Sequence, residues 1–111
     1  MSPVKWHRVA GITEFEPDEG RAFEIEGRRV AVFLVDGEFH CVSDICTHGH
    51  AFLSQGFMDG HCIECPLHGG GFDVRTGKAL TLPAEIDLAT YPVKCCDGGV
   101  FVAVGAKVAA G

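Results

Sequence analysis

The chain of 111 residues has no long apolar run; the longest, at 30–35, has six residues, far below the ~20 that a membrane-spanning helix needs. No apolar repeat of helical period persists along it, so a helical bundle is excluded. Cations are scarce: nine Lys and Arg stand against fifteen Asp and Glu, a net charge of −6. No basic cluster exceeds Arg28-Arg29, so the footprint that displaces counterions from nucleic-acid phosphates is missing. The opening stretch from Met1 to His7 holds no apolar segment of the kind found in a secretory signal. A cytoplasmic protein that engages neither membrane nor nucleic acid is expected.

What the chain does hold is ordinary in bulk and unusual in detail. Its 47% apolar and 22% charged residues are those of a soluble globular protein. The length fits a single domain, 1–111, with a small core. An acidic surface of this kind either keeps a protein in solution or steers a basic partner. The unusual detail is the presence of six cysteines and six histidines. In a reducing compartment, clustered Cys and His act as metal ligands or redox groups more often than as a disulfide framework.

The punctuation is that of an all-β protein. Acidic residue–glycine pairs occur at Glu26-Gly27, Asp36-Gly37, Asp59-Gly60 and Asp97-Gly98, and such pairs suit tight hairpins because both turn residues take positive φ. Three hairpins are predicted: 21–25 with 28–35, 30–35 with 38–42, and 91–96 with 100–104. The run at 30–35 is apolar on both faces, as a strand between two layers is. Alternation sends Phe39 and Cys41 inward and His40 outward; it sends Tyr91, Val93 and Cys95 inward and Lys94 and Cys96 outward. Between Ser43 and Thr76 the alternation breaks down and Gly, His and Cys crowd together. On a β scaffold, function sits in such irregular stretches.

Within that stretch lie Cys46-Thr47-His48 and Cys65-Pro66-Leu67-His68, with sixteen residues between His48 and Cys65. Each pairs one sulfur with one imidazole on a short turn, so two loops can bring two sulfurs and two nitrogens to one point. Tetrahedral zinc uses such donors. Its usual knuckle, Cys-x-x-Cys, occurs once, as Cys62-Ile63-Glu64-Cys65, and would have to pair with Cys41 and Cys46 in a distorted four-cysteine site. A [2Fe–2S] cluster with two histidines on one of its irons uses the same donors. Cys41, Cys62 and Cys95 otherwise read as small buried apolar groups. His50 and His61 read as loop residues at the wrong spacing, and His7 and His40 as surface strand residues.

Cys46-Thr47-His48-Gly49 and Cys65-Pro66-Leu67-His68-Gly69, followed by Phe72-Asp73 and Thr76-Gly77-Lys78, resemble the Rieske-type ferredoxins of bacterial aromatic-ring-hydroxylating dioxygenase systems. The resemblance implies a three-sheet antiparallel β-sandwich with a cluster-binding subdomain, about 43–76, at one tip. It implies one Rieske-type [2Fe–2S] cluster, with Cys46 and Cys65 on the inner iron and His48 and His68 on the outer one. In that arrangement Gly49, Gly69, Gly70 and Gly71 supply the φ values that let backbone N–H groups converge on bridging sulfides. Ala51, Pro66 and Leu67 would form a small apolar rim for docking. High-potential members of the superfamily carry two further cysteines where Ala51 and Leu67 stand here, and a serine and a tyrosine where Gly70 and Phe72 stand. Without those hydroxyls on cluster sulfurs, a potential near the low end of the Rieske range, about −150 mV, is expected.

The same resemblance implies an electron carrier and not an enzyme. Single electrons would pass from an NAD(P)H-dependent, flavin-containing ferredoxin reductase to a terminal oxygenase that hydroxylates an aromatic compound, with the carrier working as a monomer. A Rieske oxygenase itself needs a further iron held by histidines and a carboxylate, and no histidine follows His68. Two other readings stay open: a structural zinc module, and a non-catalytic small subunit of a reductase that keeps the fold without the cluster.

Overall fold

Acidic residue–glycine turns fold the chain back on itself where the sequence places them. The computed structural model describes residues 5–47, 51–67, 69–82, 84–104 and 108–109. In it β2 (Gly20–Ile25) joins β3 (Arg28–Val35) through Glu26-Gly27, and β3 joins β4 (Glu38–Ser43) through Asp36-Gly37. Likewise β10 (Val93–Cys96) joins β11 (Gly99–Val102) through Asp97-Gly98. Both residues of each turn have positive φ, from 49° to 79°, as the turn that matches strand twist requires. The remaining pair is off by one residue. Asp59 pairs with Cys62, so the turn between β5 (Phe57–Asp59) and β6 (Cys62–Glu64) is Gly60-His61. Only Gly60 of these two has positive φ, the form of hairpin turn that wants glycine first.

Three antiparallel sheets result, in the orders β1 (His7–Gly11), β11, β10; β12 (Val108–Ala109), β9 (Ala89–Tyr91), β4, β3, β2; and β5, β6, β7 (Gly71–Asp73), β8 (Ala79–Thr81). The five-stranded sheet lies in the middle with both faces covered. From β3, Val30 and Val32 join Cys41, Val100 and Val102 in one core, while Ala31, Phe33 and Val35 join Val42, Ile63 and Phe72 in another. That is why 30–35 is apolar throughout. Burying one such Val or Phe contributes about 1.5–3 kcal/mol. The stretch 43–76, read above as irregular, supplies three of the four strands of the third sheet. Among the described residues no helix is long and apolar enough to cross a membrane.

Two assignments of strand faces need correction. Residues 91–96 are not one strand: Pro92, with no N–H to give to a ladder, separates β9 in the central sheet from β10 in the three-stranded one. Beyond that break β10 is an edge strand, and Cys95 is exposed, as is Cys96. His40 does face away from Cys41, but that side is covered by the third sheet. Its ring lies edge-to-face with His61 at 6.0 Å between centroids, and its Nε2 is buried with no hydrogen-bond partner among the described residues.

Burial holds His40 below the ordinary imidazole value of 6.5; Glu38 and Asp73 oppose this, while His61 and Arg75 add to it. The unfolded chain therefore takes up a proton near pH 6.5 that the folded chain refuses, and stability falls as the pH drops below that value. Between about pH 8 and pH 5.5, spanning the ordinary imidazole range, the urea midpoint of the wild type should fall more steeply than that of His40→Phe. Parallel slopes would show that folded His40 accepts protons freely.

Candidate metal centre

Two loops built to one plan close the end of the third sheet. The Cys46 N–H donates to the Ala51 carbonyl at 3.0 Å, and the Cys65 N–H donates to the Gly70 carbonyl at 2.8 Å. One residue further out, Ile45 pairs with Phe52 and Glu64 pairs with Gly71. Each cysteine is thus the first residue past a paired residue, and each closing bond leaves a span of four residues, 47–50 and 66–69. His48, Gly49 and His50 belong to the first span and His68 to the second; these four lie outside the described residues.

Cys46 and Cys65 are both buried, in the same core cluster, with Phe33, Leu53 and Phe72. Two sulfur donors therefore stand at equivalent places at the water-poor base of the loops. Paired thiolates in such a setting fit the inner side of an iron–sulfur cluster. The other cysteines do not join them. Cys41 lies in the opposite core, and burial pushes its thiol far up. Cys62 alternates with the buried Ile63 and so faces the other way; its thiol is raised by burial and by Asp59 and Glu64. The four-cysteine zinc site is divided among three places, and among the described residues no three Cys, His, Asp or Glu are grouped to hold a metal.

The glycines act in two ways, only one of them foreseen. Gly69 has φ +76° and donates its N–H to the Cys65 carbonyl at 3.0 Å. Gly70 and Gly71 are not in the left-handed region; they are small because space is short. A Cβ at Gly70 would lie 2.9 Å from both Cβ and N of Ala84, and one at Gly71 would lie 2.7 Å from Cys62 Sγ and Thr81 Oγ1. Ala51, expected in an exposed rim, is instead buried in the core, whereas Leu67 is 67% exposed and Pro66 half-buried.

Two features had no clear signal in the sequence. The segment 84–88 braces both loops: Ala84 backs Gly70, and the Thr47 hydroxyl donates to the Ile86 carbonyl at 2.7 Å. The Ala79 N–H donates to the Asp87 carboxylate at 2.8 Å and the Leu88 N–H to the Gly77 carbonyl at 2.7 Å, which ties the brace back to the sheet. This leaves Leu82 and Ile86, 76% and 67% exposed, beside the loops; apolar residues at 80, 82 and 86 outside any predicted hairpin were the available hint. The second feature is Asp44, fully buried, which accepts from Arg29 Nε at 2.5 Å and from the Ser54 N–H at 2.6 Å.

Gly70→Ala should cost about 1–3 kcal/mol through overpacking, read from denaturant unfolding, and Ala84→Gly should restore only part of it because the backbone nitrogen is equally close. Full restoration would place the conflict on the Ala84 methyl alone.

Comparison with known proteins places this architecture. Residues 5–92 match the model of the Rieske [2Fe-2S] domain. The anthranilate 1,2-dioxygenase ferredoxin subunit of Burkholderia cepacia is 41% identical over 102 residues, which cover 92% of this chain and 94% of that protein. The ferredoxin of carbazole 1,9a-dioxygenase from Nocardioides aromaticivorans IC177 superposes with a TM-score of 0.86 at 34% identity, over 88% of this chain and 96% of that one. A ferredoxin chain in a complex of reduced oxygenase and oxidized ferredoxin in carbazole 1,9a-dioxygenase gives 0.84 at 38% identity, over 88% of this chain and 92% of that one. The chain belongs to the Rieske [2Fe–2S] domain family, and like these relatives it is a ferredoxin, an electron carrier with a Rieske-type cluster as its cofactor.

Proposed function

We propose that this protein is the ferredoxin component of a multicomponent oxygenase system. It accepts single electrons from an NAD(P)H-dependent flavoprotein reductase and delivers them to a terminal oxygenase that hydroxylates an aromatic compound. The observation that carries the reading is the repeated loop plan, which sets Cys46 and Cys65 at matching, buried positions in one core cluster. The relatives support the choice of partner: one is a subunit of anthranilate 1,2-dioxygenase, and another is a ferredoxin solved together with its oxygenase.

In this proposal a single Rieske domain covers 1–111, and its cluster-binding part is about 43–76. Cys46 and Cys65 hold the inner iron; His48 and His68, which fall within the two four-residue spans, hold the outer one. When bound, the cluster supplies a one-electron couple. The buried cysteines keep water from its inner side. Gly69, with Gly49 in the other span, gives the backbone freedom to turn N–H groups toward the sulfides. Gly70 has no side chain, and Phe72 is buried without a hydroxyl, so neither offers the hydrogen bond to sulfur that raises the potential in other members of the superfamily. Leu67, Leu82 and Ile86 form the apolar docking rim, with Pro66 at its inner edge. The carrier works in the cytoplasm as a monomer. A cluster-free small subunit would have no use for the full ligand set of Cys46, His48, Cys65 and His68.

Purified protein should be red-brown, hold about two irons and two sulfides per chain, show a reduced-state EPR signal of low average g, and titrate near −150 mV. His48→Ala should abolish that signal and His50→Ala should leave it; loss in His50→Ala would reassign the ligand. A colourless protein carrying one zinc would overturn the reading.

Leu82→Ser and Ile86→Ser should each slow reduction of the oxygenase about tenfold, the effect of losing roughly 1.4 kcal/mol at an interface. The cluster spectrum should not change, since Ile86 is tied to Thr47 through its carbonyl and not its side chain. Rates equal to wild type in both variants would move the docking face elsewhere.

A further inference from the structure

The two loops share a plan but not a foundation. The Cys65 loop grows from a continuous ladder in which Cys62, Ile63 and Glu64 pair with Asp73, Phe72 and Gly71. The Cys46 loop has a single isolated bridge, Ile45 with Phe52. Flanks joined by one bridge are freer to splay than a three-pair ladder, and further contacts must hold them.

Asp44 sits where the missing ladder would be. One carboxylate oxygen accepts from Arg29 Nε at 2.5 Å and the other from the Ser54 N–H at 2.6 Å. Its backbone N–H donates to the Arg29 carbonyl at 3.0 Å, and its carbonyl accepts from the Leu53 N–H at 2.7 Å. A single fully buried residue thus holds the strand entering the loop, the chain leaving it, and β3 beneath them. The Arg29 guanidinium is fixed in turn by Phe52, whose ring centroid is 3.8 Å away. Phe52 is the residue that pairs with Ile45, so the circuit closes on itself. A buried carboxylate is costly unless it is fully paired, and among the described residues its bonds go to the flanks of one loop and to the strand beneath them.

The geometry points to Asp44 and Arg29 as a positioning pair for the Cys46 loop. They hold the Cys46 side of the metal site still, independently of the Cys65 side, so that the site changes little when an electron arrives or leaves. The inference rests on the proposed function in one respect only, that Cys46 is a ligand.

The test uses the full chain as purified, with Asp44→Asn, which keeps the shape of the side chain, and Arg29→Lys, which keeps the charge but loses the planar stack on Phe52. Hydrogen exchange read by mass spectrometry should rise at least tenfold at 44–55 in both variants and change less than twofold at 62–72. The reduced-state EPR signal should broaden and the midpoint potential should move. Equal rises in both segments would overturn the inference, because the pair would then be a general stabiliser. So would an EPR line and a potential identical to wild type in a variant whose 44–55 segment exchanges faster. If Asp44→Asn does not fold, Arg29→Lys decides by the same readings. Should every preparation lack iron, the ferredoxin reading fails, while exchange still reports whether the pair holds the loop.

Discussion

Two backbone hydrogen bonds of the same kind, from the N–H of Cys46 to Ala51 and from the N–H of Cys65 to Gly70, are the constraint on which the rest of the molecule depends. Each fixes a cysteine at the root of a loop and leaves only four residues to be ordered above it. Ordering a residue costs about 1–2 kcal/mol of backbone entropy, so short spans keep that cost to a level that cluster binding offsets. The bonds also decide where the sulfurs lie. Both cysteines turn into the core beneath them, in one cluster with Phe72 and Leu53. The two sulfurs at the base are therefore shut off from water.

That constraint makes demands on distant parts of the chain. The roots must not move apart, so one loop stands on a three-pair ladder and the other on a buried carboxylate. The segment 84–88 then spans both roots, touching Gly70 from one side and Thr47 from the other. Beneath them all, the central sheet is covered on both faces, with β3 giving alternate side chains to two cores. A strand locked in this way is a firm floor, and the Arg29 that steadies the Cys46 loop is part of it.

Much of this was legible in the sequence because it follows from local rules. Positive φ at an acidic residue–glycine pair is a property of those residues, and the hairpins at Glu26-Gly27, Asp36-Gly37 and Asp97-Gly98 followed directly. The run at 30–35 announced a strand covered on both sides because nothing polar interrupts it. The family resemblance at Cys46-Thr47-His48 and Cys65-Pro66-Leu67-His68 pointed to the Rieske-type cluster that the relatives share, while the ligand set itself belongs to the proposed function. The failures were non-local. The exposure of Cys95 depends on Pro92 moving the chain from one sheet to another, and the burial of Ala51 on its carbonyl closing the loop on Cys46. Asp44 and Arg29 are fifteen residues apart and look like ordinary surface charges until β3 and β4 pair. Gly70 reads in the sequence as a glycine that frees φ for a nest of N–H groups; its reason for being glycine is Ala84, which no sequence window connects to it.

The charge pattern around the loops bears on how a carrier of this kind lets go. No Lys or Arg occurs between Arg29 and Arg75, or between Lys78 and Lys94, so the loops and their brace carry acidic groups and neither lysine nor arginine. Glu64 and Glu85 are exposed there beside Leu67, Leu82 and Ile86. On the proposed function, a partner that docks here presents a face that is apolar at its centre and basic at its edge. The acidic groups act over roughly a Debye length, ~8 Å at physiological salt, and hasten encounter. The few apolar contacts set how long the complex lasts. On the proposed function, reductase and oxygenase use this same face, because both exchange electrons with the one cluster. Two partners on one face exclude each other, so the carrier must leave the first before it meets the second. An attractive charge with a small apolar rim meets that need: it favours arrival and does not prolong the stay.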